Sequence, residues 1–484
     1  MIPLPRNTLK TGLSIPRVVC GLWQVADIER SGTPIDPERG ADALQAYVEA
    51  GFTAFDMADH YGTAELITGA MLKRYDEKKR PLALTKWCPE PGPMNADTVR
   101  AGVQARLDRL GVKKVDLLQF HWWTFEHPAW LDALHEMKKL QDEGLIGAIG
   151  VTNFDAAHLS VALADGIPIV SNQVSFSVLD RRARGRLAAF CANNGVKLLA
   201  YGTLNGGFLS EKWMGQTEPT AIADWSKSKY KRFIDTAGGW AVYQDLLTAL
   251  SHIAQRAKVS IANVATRWVL DQPHVAAIII GARIGENDHH ANNAAVFGFE
   301  LSGEDHASLE AIFDRMTPIP GDCGDEYRKQ PFLTASGDLS HHLSSIASAY
   351  PVALTLHREG LRVSSGSKWE PIAGYSRAMR VKDTIYVSGT TATHTDGRCV
   401  APGDAAAQAT YILDKIVGAV SAAGGKVEDI VRTRVYLRDA SACEAVSLAH
   451  GRIFGQIMPA NTLIVAGGLI GDYEVEIEAD AVVS

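Results

Sequence analysis

From about residue 15 to 300 the chain alternates short apolar runs with longer segments whose apolar positions recur every three to four residues. The runs are Val18 to Leu22, Ala54-Phe55, Leu82 to Leu84, Val115 to Leu118, Ile146 to Val151, Ile169-Val170, Val196 to Ala200 and Ala276 to Ile280. Each is short and bounded by Gly, Asn or Asp, as strands buried on both faces are. The segments between them, such as Ala96 to Leu110 and Trp130 to Gln141, predict amphipathic helices. Gly111, Gly144 and Gly195 stand where helix C-terminal stops belong. Eight such units predict a (β/α)8 (TIM) barrel. An open doubly wound sheet is the rival, but no GxGxxG follows the first run. The longest gap, Leu204 to Gly239, predicts a functional loop or lid.

The pattern breaks near Thr317, where Pro318, Pro320, Gly321, Gly324, Pro331 and Gly337 interrupt it. Residues 318–350 therefore read as tail and linker, with His341 and His342 as solvated linker residues, and residues 1–317 as the barrel domain. A second domain over 351–484 mixes strand-like runs with two helices, Asp404 to Ala423 and Ser441 to Phe454, which predicts an α+β fold. Its last run alternates from Tyr473 to Ala481 with acids on one face, a pattern usual for a solvated face.

Composition narrows the class. The chain has 484 residues, 46% hydrophobic and 21% charged, as in a globular protein. Its 48 basic and 55 acidic residues give a net charge of −7, which argues against nucleic acid as a partner. No apolar stretch is long enough for a membrane helix, and the N-terminus shows no signal pattern. Six cysteines without a CxxC pair fit reduced thiols of a cytoplasmic protein and no metal site.

Candidate chemistry lies at the ends of three successive runs. They deliver Asp56 and Tyr61, then Lys86, then His121, and strand C-termini are where a barrel builds its catalytic site. Reducing a carbonyl requires a proton for the developing alkoxide. A tyrosine is a usable acid, and a neighbouring ammonium such as Lys86 makes it work in both directions. Asp56 would hold Lys86 charged, and a neutral His121 would orient the carbonyl oxygen.

Asp56-x4-Tyr61-Gly62 with Lys86 and His121 resembles the catalytic tetrad of the aldo-keto reductase superfamily, and the likeness covers about residues 8 to 316. The resemblance implies a nicotinamide cofactor bound without a Rossmann fold. Thr152, Asn153 and Gln173 would hold its carboxamide, and Tyr201 would stack on its ring. Gly202, Thr203, Leu204 and Gly206 would line the pyrophosphate. Ile280, Gly281 and Arg283 match the loop that meets an adenosine 2′-phosphate, with Asn287 or Asn293 toward the adenine. Arg283 makes NADP the expected cofactor, and the run after it, longer than the family's usual one, keeps NAD as the alternative. Trp23, Trp87 and Trp122 stand at or past strand ends and are expected to wall the substrate pocket. The basic run Lys227 to Arg232 reads as solvated, though its loop also allows closure over a cofactor or an anionic substrate.

The second domain resembles the Rid (YjgF-like) reactive-intermediate deaminases, of chorismate-mutase-like fold. The matching pieces are Pro371-Ile-Ala-Gly-Tyr375, Ile385 to Gly389, Ala423 to Leu437 and Val475 to Ala479. Tyr375 and Glu476 match the family's cleft residues, but the carboxylate-clamping Arg is replaced by Asn461. Without a guanidinium, bidentate carboxylate binding is lost. The expectation is an NADP-dependent oxidoreductase acting on a small carbonyl or alcohol. The second domain is expected to trimerise the chain or bind a small ligand. The alternatives are a redox-sensing nucleotide-binding subunit and a C-terminal imine or enamine hydrolase coupled to the barrel.

Overall fold

The computed structural model describes residues 4–26, 33–282, 284, 289–328, 346, 348–355 and 360–483. Arg283, Asn287, His341 and His342 lie outside the described residues. A hairpin of β1 (Arg6–Thr8) and β2 (Ser14–Pro16) precedes the barrel. The barrel strands are β3 (Val18–Gly21), β4 (Ala54–Asp56), β5 (Leu82–Trp87), β6 (Leu117–His121), β7 (Ile149–Thr152), β8 (Ile169–Ser175), β9 (Lys197–Tyr201) and β10 (Val275–Gly281). All neighbours are parallel, and β10 pairs with both β9 and β3, which closes the barrel. All eight apolar runs of the sequence are therefore strands. The glycine stops also hold: Gly111 (φ 63°) and Gly195 (φ 69°) cap their helices in the left-handed conformation that a Cβ disfavours. The predicted long loop folds into two 3-10 turns and a helix, Trp225–Thr236.

The second domain is a seven-stranded sheet carrying the helices Ala405–Ala422 and Cys443–Phe454. Its strands are β11 (Val352–Leu354), β12 (Gly360–Val363), β13 (Ala378–Val381), β14 (Thr384–Thr391), β15 (Ile430–Leu437), β16 (Ala460–Val465) and β17 (Val475–Val482). Their order is β11-β12-β13-β14-β17-β15-β16, antiparallel except for β15 with β16. The alternation read from the last run is present in β17, but its acids are half-buried. Glu478 and Asp480 pair with Arg434 of β15 at 3.0 and 3.3 Å.

The two domains are packed together. Helix Ala405–Ala422 lies on the barrel helix Ala156–Ala164. His158 of the barrel is buried between Asp155 (2.7 Å) of its own domain and Asp414 (3.0 Å) of the other. Arg398 forms a two-pronged ion pair with Asp165 at 2.7 and 2.8 Å. Gly418 meets the backbone of Glu126, where a Cβ would overlap its carbonyl oxygen. Among the described residues no helix is long and apolar enough to cross a membrane.

Candidate active site

The open, C-terminal end of the barrel strands surrounds a cavity of about 580 Å³. Tyr61, Lys86, Asp56 and His121 all line it. Asp56 ends β4, Lys86 lies in β5 and His121 ends β6, so adjacent parallel strands deliver them side by side. Tyr61 follows β4 in a turn closed by its amide to the Ala58 carbonyl.

At the centre is a buried ion pair, Lys86 Nζ to Asp56 Oδ2 at 2.6 Å, with both side chains 4% exposed. Lys86 also donates to the Met57 carbonyl at 3.1 Å. The other Asp56 oxygen accepts from Gln119 (3.0 Å) and Gln173 (2.7 Å). Burying two charges costs more than their attraction returns unless the remaining lone pairs are also bonded, and here they are. The ammonium lies 4.9 Å from the centre of the Tyr61 ring. Trp23 packs edge-on against that ring at 4.9 Å. His121 sits between Cys88 Sγ (3.7 Å from Nδ1) and the Asn153 amide nitrogen (3.5 Å from Nε2).

Of the residues expected at the cofactor, Thr152, Asn153, Gln173, Tyr201, Gly202, Thr203, Leu204, Gly206, Ile280 and Gly281 line the same cavity. Asn293 lines it too. Gln173 spends its amide on Asp56 and Gln119, so it braces the ion pair as well. Asn153 holds a left-handed backbone (φ 58°), which Asn tolerates better than most residues. The Tyr201 hydroxyl donates to its side chain at 3.0 Å. Thr152 and Thr203 carry buried hydroxyls without a protein partner.

Two expected pocket walls are elsewhere. Trp87 packs against Phe120 and helix residue Gly102, and Trp122 stacks on Phe120 while donating to the His127 carbonyl. Both are core side chains outside the cavity lining, because alternate residues of a barrel strand face the helices. Trp23 does line the cavity. The basic run is only partly solvated: Arg232 is exposed, but Lys229 and Tyr230 are 7% and 8% exposed and line the cavity.

The sequence also missed Tyr327, which lines the cavity from the segment read as linker. It missed the group Asp59, His60 and Cys88, whose ligand-type atoms lie within 4.8 Å of one another. Asp59 is already engaged by His60, the Cys88 amide and Arg106, and burial pushes the Cys88 thiol up to about 11, away from the thiolate a metal needs.

In the second domain Tyr375 lines a cleft of about 460 Å³ with Arg362, Glu370, Met379, Tyr386 and Ser388. Asn461 and Glu476 are not part of that lining. Asn461 is exposed on β16 and accepts from Thr433 at 3.2 Å. Glu476, on β17, has its carboxyl pushed up by burial. One chain thus does not bring the three together.

A model described as the aldo/keto reductase family matches residues 17–314. The chain belongs to the aldo/keto reductase family. Residues 366–483 match a second model, described as endoribonuclease L-PSP, in agreement with the YjgF-like motifs of that domain. The aldo-keto reductase YhdN of Bacillus subtilis is 26% identical over 337 residues, covering 66% of this chain and 96% of its own. The NADH-specific methylglyoxal reductase of Escherichia coli is 25% identical over 339 residues, covering 65% and 99%. Among solved structures, the thermostable aldo-keto reductase Tm1743, bound to the inhibitor epalrestat, is 27% identical with a TM-score of 0.50, covering 64% of this chain and 100% of that one. The protein is thus an aldo/keto reductase barrel, an oxidoreductase scaffold, joined to a YjgF-like domain.

Proposed function

We propose that the barrel interconverts an aldehyde or ketone and an alcohol, using NADP(H), with NAD(H) as the alternative. One observation carries this reading: four groups suited to carbonyl reduction line a single cavity at the strand ends. Tyr61 is the acid for reduction and the base for oxidation. Lys86, its Nζ 4.9 Å from the centre of that ring, lies where a positive charge favours a developing phenolate. Asp56, braced by Gln119 and Gln173, fixes Lys86 in place. His121, as the neutral imidazole, donates to the carbonyl oxygen and orients it. One such donor is worth about 3 kcal/mol of barrier.

The residues fit a nicotinamide cofactor. The orphan hydroxyls of Thr152 and Thr203 need a partner, and both line the cavity. Gly202 and Gly206, at φ 70° and 65°, form a turn in the cavity wall beside them, with the Tyr230 ring against the side a Cβ would fill. When bound, the cofactor supplies or accepts the hydride, and Tyr201 flanks its ring. The NADP preference rests on Arg283. The name of the Escherichia coli relative keeps NAD in view.

The second domain is read as a trimerisation or small-ligand-binding module. Asn461 in place of the clamping Arg speaks against hydrolysis. Tyr386 and Ile464 are exposed on the sheet face that also carries Glu476 and Glu478. A monomer mass by light scattering would remove the assembly role. For the barrel, Tyr61→Phe should lower kcat by about 10²- to 10⁴-fold with the cofactor Kd nearly unchanged. Near wild-type turnover would exclude Tyr61 as the acid.

A further inference from the structure

Three segments surround His121. The first is 122–128, which follows β6. Its Trp123 is buried and packs on the His121 ring, with centres 4.3 Å apart. The second runs from Asn153, whose amide nitrogen is 3.5 Å from His121 Nε2, to Asp155. The third is the return of the chain after the last barrel helix, Gly303–Phe313, beyond the residues that match the family, 17–314. This return segment sets Tyr327 into the cavity wall, edge-on to His121 at 5.6 Å. Arg182 anchors it by pairing with Glu326 (2.8 Å). Its Arg328 donates to the carbonyls of Trp122 (2.9 Å) and Asn153 (2.7 Å), which ties all three segments together.

The second domain holds the first two from behind. On helix Ala405–Ala422, Gly418 lies against the Glu126 carbonyl. One turn earlier, Asp414 lies 3.0 Å from His158 Nε2. The His158 ring stacks flat on Phe125, with centres 3.4 Å apart, and its other nitrogen is 2.7 Å from Asp155. Arg452 of the second domain is 3.8 Å from the same carboxylate. Asp155 caps the barrel helix Ala156–Ala164 by accepting the amides of Ala157 and His158, and it stands two residues past Asn153. Beyond the far end of 122–128, Asp132 in the first turn of helix Ala129–Asp142 accepts from the Thr395 hydroxyl at 3.0 Å. A close-packed interior transmits a shift instead of absorbing it. A Cβ on residue 418 would stand 2.4 Å from the Glu126 oxygen, roughly 1 Å inside ordinary contact. Misplacing a reacting geometry by about 1 Å costs on the order of 10²-fold in rate.

We propose that helix Ala405–Ala422 is a positioning element of the reductase: through Gly418 and Asp414 it seats residues 122–128 and Asp155, and through them His121 and Asn153. This rests on the reductase reading above. It gives the second domain a role in carbonyl turnover that is separate from assembly and from ligand binding.

The test uses the full chain, NADPH and 4-nitrobenzaldehyde, with kcat counted per NADPH-binding site so that unfolded protein does not enter. Gly418→Ala is compared with Gly451→Ala on helix Cys443–Phe454, where a new methyl meets nothing within 4 Å. Alanine is the better helix former at both positions, so neither substitution weakens its own helix. In Gly418→Ala kcat should fall about 10- to 100-fold, with a smaller change in the NADPH Kd and the wild-type mass by light scattering. Gly451→Ala should match wild type. If Gly418→Ala does not fold, the same measurements are made on Asp414→Asn, which should lower kcat several-fold. Wild-type kcat in both Gly418→Ala and Asp414→Asn overturns the inference and leaves the reductase reading standing. An equal loss in Gly451→Ala overturns it, because that residue does not touch the barrel loop. A loss that comes with a changed mass assigns the effect to assembly and overturns it too. No consumption of NADPH by wild type defeats the reductase reading and this inference with it.

Discussion

Replacing Asp414 by Asn tests whether the two domains are energetically one body. Asp414 belongs to the second domain, and its carboxylate lies 3.0 Å from Nε2 of His158 in the barrel. Both side chains are nearly buried, 9% and 3% exposed, so solvent screens the pair little. Burial alone would pull the His158 pKa down, but Asp155 and Asp414 outweigh it and raise the pKa above the ordinary value. Asn still offers an oxygen to His158, so the substitution removes charge and keeps the hydrogen bond. Hydrogen bonds to charged groups contribute about 1.5–3 kcal/mol and neutral ones about 0.5–1.5, which leaves about 1–1.5 kcal/mol at stake. A raised histidine pKa gives stability that is full below the unfolded value, about 6.5, and fades as pH rises through the folded value. Asp414→Asn should therefore lower the urea-unfolding free energy by about 1–1.5 kcal/mol at pH 6, read by tryptophan fluorescence, and by less at alkaline pH. No loss at pH 6, or an equal loss at both pH values, would refute a charged His158 bridging the domains.

Gly324→Ala should loosen the return segment. Its φ of 94° is strained for any L-residue, and the new methyl would overlap the Asn153 carbonyl oxygen and the Arg328 guanidinium. We expect a stability loss of at least about 1–2 kcal/mol in urea titration and a lower kcat/KM for carbonyl substrates, whereas a wild-type value of both would mean the segment is not tied down. Lys415 is buried, and that burial, with help from Arg377, pulls its ammonium down to about 7. Between about pH 7 and 10 the unfolded chain then holds more protons than the folded one, so this group adds stability as pH rises. Lys415→Met should flatten that rise in the unfolding midpoint, and parallel profiles for wild type and variant would count against it. Tyr61→Phe should separate catalysis from cofactor binding, as stated above.

The barrel was legible because each strand is a self-contained apolar run and each candidate group stands at or just past a strand end. Parallel neighbours then bring Asp56, Lys86 and His121 together without further information. Local pattern could not say which side of a strand a residue faces when both sides are apolar. That is why Trp87 and Trp122, beside Lys86 and His121 in sequence, turned out to be core. The return segment was missed for a different reason. Its Pro- and Gly-rich stretch has no period, and its order comes from partners such as Arg182 and Asn153, more than a hundred residues earlier. Lys229 looked solvated because it sits in a basic run, and only the helix over Trp225–Thr236 turns it inward. The link through His158 likewise spans the chain, with Asp414 its partner 256 positions away.

The most direct test of the central claim is titration of the full chain with NADPH and, separately, NADH, followed by addition of 4-nitrobenzaldehyde while the absorbance of the reduced cofactor is recorded. The account predicts saturable binding, tighter for NADPH, and consumption of the cofactor once the aldehyde is present. Failure to bind either cofactor, or binding without turnover of this or any other carbonyl, would contradict it.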